Sequence, residues 1–145
     1  MAAMKPLWKT GRLLTLTHQQ TRYLNENHAS DPIALRDLAR SVLEDAKAED
    51  IQEIDLRDRG SFADFMLIAS GTSTRQVKAM ADRLIQRTKA TGIPPLGVEG
   101  DREAEWVLVD LADVVVHIML PQTRAFYNLE KLWAVPPASR SATAV

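Results

Sequence analysis

The stretch Glu105-Trp106-Val107-Leu108-Val109-Asp110-Leu111-Ala112-Asp113-Val114-Val115-Val116-His117-Ile118-Met119-Leu120 decides the fold. Two aliphatic, β-branched runs are separated only by Ala112 and Asp113, so residues 105–111 and 114–120 predict a tight antiparallel hairpin. The usual turn glycine is absent, which leaves the turn type open. Alternation puts Val107 and Val109 on one face of their strand, and Val114, Val116 and Ile118 on one face of the next. Those side chains make a purely aliphatic surface suited to burial beneath helices. The opposite surface carries Trp106, Leu108, Asp110, Val115, His117 and Met119. Aromatic, imidazole, carboxylate and thioether groups together are the composition of a partner-binding patch rather than of a solvent face or a core. The competing reading covers this surface with a final helix through Phe126, Tyr127 and Trp133, and composition leaves the two open.

Outward from the hairpin, apolar periodicity supplies the other elements. Asp31-Pro32 is a helix start, and Leu35, Leu38, Ala39, Val42, Leu43 and Ala46 follow at helical spacing, predicting an amphipathic helix over 32–48. Residues 51–56 read as a short strand, 57–64 as a polar connection, and 65–70 (FMLIAS) as a strand with no polar face. Gly71, Thr72 and Ser73 provide a turn and a cap. Val77, Met80, Ala81, Leu84, Ile85 and Thr88 then mark a second amphipathic helix that runs to Gly92. Residues 96–99 form another strand after Pro94-Pro95, and 122–133 a last helix with Phe126, Leu129 and Leu132 or Trp133 on one side. The order α, β, β, α, β, β, β, α predicts a single α/β (α+β) domain: a five-stranded mixed sheet flanked by helices. The strands before and after the second helix are expected to run parallel through a right-handed crossover.

Composition narrows the function. The 145 residues carry 18 Lys plus Arg against 19 Asp plus Glu, a formal charge of −1, which excludes a polybasic nucleic-acid or membrane binder. Cysteine is absent, so disulfides, thiolate metal sites and cysteine nucleophiles are excluded, and only His18, His28 and His117 remain as nitrogen ligands. The first 30 residues hold Lys5, Lys9, Arg12 and Arg22 against Glu26, giving a +3 arm ahead of a −4 body. Residues 1–30 are expected to be a flexible basic extension, 31–134 the folded domain, and 135–145 a disordered tail. No apolar run near the start suits a signal peptide or a membrane span, and the expected location is the cytoplasm. A mitochondrial presequence, and with it the matrix, is the lesser reading of the basic arm.

Three features could carry chemistry. Ser70-Gly71-Thr72-Ser73-Thr74-Arg75 joins a buried strand to a helix and could cradle an anion, but it lacks P-loop and dinucleotide glycine spacing and reads first as a cap. Glu99, Asp101, Glu103, Glu105, Asp110 and Asp113 invite a metal or acid/base reading, although a run of acids is more often a solvated face. His117 sits within a strand with no serine elbow and no HExxH, so a structurally satisfied imidazole is the favoured role.

Four blocks in register then point to a family. They are Ser70-Gly71-Thr72-Ser73-Thr74-Arg75-Gln76-Val77, Gly97-Val98-Glu99-Gly100, Trp106 to His117, and Phe126-Tyr127-Asn128-Leu129-Glu130-Lys131-Leu132-Trp133. From about Pro32 to Trp133 the chain resembles the Iojap or RsfS family of ribosomal silencing factors. The resemblance implies a nucleotidyltransferase-like fold without catalysis or cofactor. It also implies a role in binding the large ribosomal subunit through its ribosomal protein number fourteen, obstructing subunit joining and damping translation when nutrients fall. Ala112 stands where the family usually has glycine, and Asn128 where aspartate is frequent. Trp106 and Leu108 are the expected apolar anchors, and Glu99, Asp110 and Asp113 the complement to basic partner side chains. His117 and Tyr127 should support or border the patch. The rivals are a nucleotidyl or phosphoryl transferase, using Ser70 to Arg75 as anion cradle and Asp110 as metal ligand, and a homodimer formed through the same apolar face. The basic arm is the one segment expected to touch ribosomal RNA.

Overall fold

The computed structural model describes residues 31–134; the basic extension expected at 1–30 and the tail expected at 135–145 lie outside the described residues. The elements are α1 (Pro32–Asp45), β1 (Glu49–Asp55), β2 (Phe65–Ser70), α2 (Thr74–Ala90), β3 (Gly97–Glu99), β4 (Trp106–Asp110), β5 (Val114–Met119), α3 (Pro121–Tyr127) and α4 (Leu129–Ala134). They build the expected five-stranded mixed sheet, in the order β1-β2-β5-β4-β3. Only the β2–β5 pair is parallel, and the other three are antiparallel. Strands β2 and β3 do point the same way, but β5 and β4 lie between them.

That position explains β2. Phe65, Leu67 and Ala69 face one layer and Met66 and Ile68 the other, and every residue of the strand is buried. A strand flanked by β1 and β5 and covered on both sides needs no polar face. The larger core layer packs α1 and α2, through Leu35, Leu43, Val77, Met80 and Leu84, on the aliphatic face that includes Val107, Val109, Val116 and Ile118. The smaller layer joins Ile54, Leu56, Ala63, Met66 and Ile68 to Val115, Leu129 and Trp133. Burial at about 25 cal/mol per Å² makes the larger layer the main source of stability.

Strand β1 begins at Glu49 rather than 51, and two helix boundaries differ from the periodicity for a backbone reason. Helix α1 stops at Asp45 rather than near 48, because Lys47 takes the left-handed region (φ 69°). The Ala48 amide then donates to the Leu43 carbonyl at 2.9 Å and the Lys47 amide to Glu44 at 3.0 Å, the paired bonds of a Schellman cap built without glycine. The final helix is two helices, broken at Asn128 (φ 52°), whose amide donates to the Arg124 carbonyl at 2.8 Å. Asparagine tolerates this conformation better than most residues. The break resets the phase: Leu129 and Trp133 turn into the small core, while Phe126 and Leu132, expected beside them, are 80% and 60% exposed.

Candidate functional site

Strand alternation divides β4 as expected: Val107 and Val109 are fully buried under the helices, and Trp106, Leu108 and Asp110 are half-buried on the other face. Register fixes what stands beside them. Leu108 pairs with His117 across the hairpin and with Glu99 of β3, so Glu99, Leu108 and His117 form one row across the sheet. Trp106 pairs with Met119, and Asp110 with Val115.

The Trp106 indole Nε1 donates to His117 Nδ1 at 2.9 Å. The imidazole must therefore be neutral with its proton on Nε2. Burial favours the same form, lowering the His117 pKa from 6.5 to about 4. Tyr127 also packs on the indole, ring centroids 4.7 Å apart and tilted 48°, and Phe126 meets Tyr127 edge-on at 5.0 Å. The result is an aromatic ladder graded from the buried His117 through Trp106 to Tyr127 and Phe126, which are 54% and 80% exposed. Large, rigid rings with a wet outer end are the residues that anchor protein interfaces.

Helix α3 brings the outer rungs into place. Pro121 starts it, and Arg124 ties it to the sheet by donating from Nη1 to Ser70 Oγ (2.8 Å) and to α4 by donating from Nε to Glu130 Oε2 (2.7 Å). Nη2 approaches Asp50 Oδ2 only to 3.6 Å and finds no hydrogen-bond partner among the described residues. Arg59 donates to the Trp133 carbonyl and secures the end of α4. At the other edge of the site, Gly100 (φ 80°) is obligatory, since a Cβ there would fall 2.1 Å from the Trp106 carbonyl oxygen.

The face is thus neither wholly open nor wholly covered. Leu129 and Trp133 close it over β1 and β2, while the β3–β4 side with Glu99, Leu108, Trp106 and Tyr127 stays accessible. Phe126 was expected on the covering side but belongs to the exposed rim. Arg124 gave no signal in the sequence, because the hydrophobic pattern does not register an arginine that is buried in a polar network.

The acidic residues separate. Glu99 is exposed, and Asp110 accepts from the Ala112 amide at 2.9 Å, so its carboxylate both borders the patch and shapes the turn. Asp113 lies at the hairpin tip beside Asp64, away from the aromatic ladder. Burial first, then the Asp64 charge, pushes its carboxyl pKa up. Its carbonyl accepts from the amides of Asp64 (2.7 Å) and Phe65 (3.1 Å), and that backbone contact starts β2. No group of three or more His, Asp or Glu among the described residues is placed to hold a metal ion.

The Ser70, Thr72 and Ser73 groups of the anion cradle are engaged internally, while Arg75 is exposed. Ser73 Oγ accepts from the Gln76 amide at 3.1 Å, and Gln76 Oε1 accepts from the Thr72 amide and hydroxyl at 2.7 and 2.8 Å. This is a capping box displaced by one residue. Ser70 is held by Arg124.

Comparison with known proteins agrees with this architecture. The family model described as "Ribosomal silencing factor during starvation" (RsfS) matches residues 28–144. The chain is 45% identical over 102 residues to "Ribosomal silencing factor RsfS" of Haemophilus influenzae, covering 70% of this chain and all of that one. It is 37% identical over 102 residues to the mouse "Mitochondrial assembly of ribosomal large subunit protein 1", covering 68% of this chain and 45% of the mouse protein. A crystal structure of a Chromobacterium violaceum protein superposes with a TM-score of 0.70 at 42% identity, covering 73% of this chain and 88% of that one. No described helix is long and apolar enough to cross a membrane. Sequence, fold and family match converge, and the chain belongs to the ribosomal silencing factor (RsfS) family.

Proposed function

We propose that this protein represses translation sterically: it docks on the large ribosomal subunit through ribosomal protein number fourteen, and its bulk occupies space that the small subunit needs. The observation that carries the reading is the ladder Phe126–Tyr127–Trp106–His117 bordered by Leu108, Glu99 and Asp110. It offers apolar anchors within an acidic rim, which suits a basic ribosomal protein. A standard interface buries about 1,600 Å², with most of the energy in a few central residues. Trp106 and Leu108 are those anchors in this proposal, Tyr127 and His117 hold the indole in place, and Glu99 and Asp110 steer the encounter. Asp113 contributes charge from the hairpin tip.

The action is non-enzymatic and takes place in the cytoplasm, where falling nutrients call for it. The large-subunit assembly named in the mouse relative supports the choice of subunit. Co-sedimentation with purified large and small ribosomal subunits, scored separately, tests the proposal. Selective pelleting with the large subunit is expected; pelleting with the small subunit, or with neither, overturns it.

A further inference from the structure

The basic charge of the folded domain is concentrated on one helix. Residues 31–134 carry eighteen acids against thirteen bases. Helix α2 alone holds five of those bases, Arg75, Lys78, Arg83, Arg87 and Lys89, against the single acid Asp82. All five are exposed, while Val77, Met80, Ala81, Leu84 and Thr88 face the core. The helix packs on the aliphatic face of the sheet, the opposite side from the aromatic ladder.

Internal electrostatics do not account for this arrangement. In α1 each arginine has carboxylate partners: Arg36 lies 2.9 Å from Asp37 and 3.3 Å from Glu53, and Arg40 lies 3.2 Å from Glu44 and 3.0 Å from Glu53. In α2 only Lys78 is paired among the described residues, at 3.6 Å from Asp82. Arg87 and Lys89 complement the negative end of the helix dipole, but Arg75 and Lys78 lie near the positive end, where acids are favoured and the first turn has none. Arg102 faces Arg75 and Lys78 across a groove that also contains Asp82 and Glu103. Cations spread from Arg75 to Lys89, roughly 22 Å of helix, match an extended polyanion better than a single small anion.

We propose that the solvent face of α2 binds the phosphate backbone of RNA. Membership of a ribosome-associated family makes RNA the polyanion concerned, and the contact is sequence-independent. The inference goes beyond the sheet-face docking and does not depend on it, since the two surfaces lie on opposite sides of the sheet.

The test is fluorescence anisotropy of the full chain with a labelled RNA hairpin at about 50 and 200 mM salt. Wild type should bind with an affinity that drops steeply as salt rises. Arg75→Gln/Arg83→Gln/Arg87→Gln should bind at least tenfold more weakly and lower the log–log salt slope by about 2 to 3, while circular dichroism stays unchanged. Trp106→Ala should bind RNA as wild type does, so a failure of the sheet-face reading remains distinguishable. Four results would overturn the proposal: no binding by wild type at low salt, equal binding by the triple variant, equal loss in Trp106→Ala, or a preference for phosphatidylserine vesicles over the RNA.

Discussion

An imidazole that accepts a hydrogen bond from an indole must stay neutral, and at His117 burial enforces that state. The folded pKa of about 4 lies below the ordinary 6.5, so between those values the unfolded chain binds a proton that the folded chain refuses. Stability from this group is therefore complete above pH 6.5 and declines as pH falls towards 4, by up to about 3 kcal/mol. Asp55, held down to about 2 by its bonds to Arg57, loses its contribution only below the ordinary carboxylate range, so the windows separate. Asp113, pushed upward, acts in the opposite sense. Urea titrations at pH 4.5 and 7 should give a smaller stability difference for His117→Gln than for wild type, because the glutamine amide does not titrate. An equal difference would show that His117 is not the group responsible. The same protonation would remove the acceptor from Trp106 and loosen the ladder.

Among the elements, the β4–β5 hairpin shows how far the sequence could be read. Ala112 adopts φ 74°, and the Asp113 amide donates back to the Leu111 carbonyl at 3.0 Å, so a residue with a Cβ occupies a position that favours glycine. Left-handed backbone costs a non-glycine residue about 1–2 kcal/mol, partly offset by the extra freedom glycine gives the unfolded chain. Ala112→Gly should raise unfolding stability by roughly 0.5 to 1 kcal/mol in urea titration, and a loss of stability would contradict this account of the turn. The hairpin, the buried β2 run and the two long helices were legible because period-2 and helical spacing report burial directly. The C-terminal end of α1 and the break at Asn128 were not, since left-handed Lys47 and Asn128 leave no trace in periodicity. The site followed the same division. Trp106, Leu108 and Asp110 sort to one face by alternation alone, whereas the indole–imidazole bond and the Tyr127 stacking required the register and the placement of α3.

For the whole molecule, the organising feature is the separation of two surfaces by one sheet. The aromatic, acid-rimmed face stays accessible only on its β3–β4 side because Leu129 and Trp133 close the remainder. The helical face carries the exposed cations of α2. A packed core lies between them, and the proposed steric repression requires such a body. Electrostatic complementarity governs how fast such a body finds its place, and a few buried rings govern how long it stays. The central claim is obstruction, and light scattering of purified large and small subunits mixed with saturating protein tests it most directly. Wild type should suppress association, and Trp106→Ala, weakened by about 2 kcal/mol or roughly 30-fold, should restore it at concentrations where wild type blocks. Normal coupling of the subunits in the presence of saturating wild type, or blocking by Trp106→Ala equal to that of wild type, would contradict it.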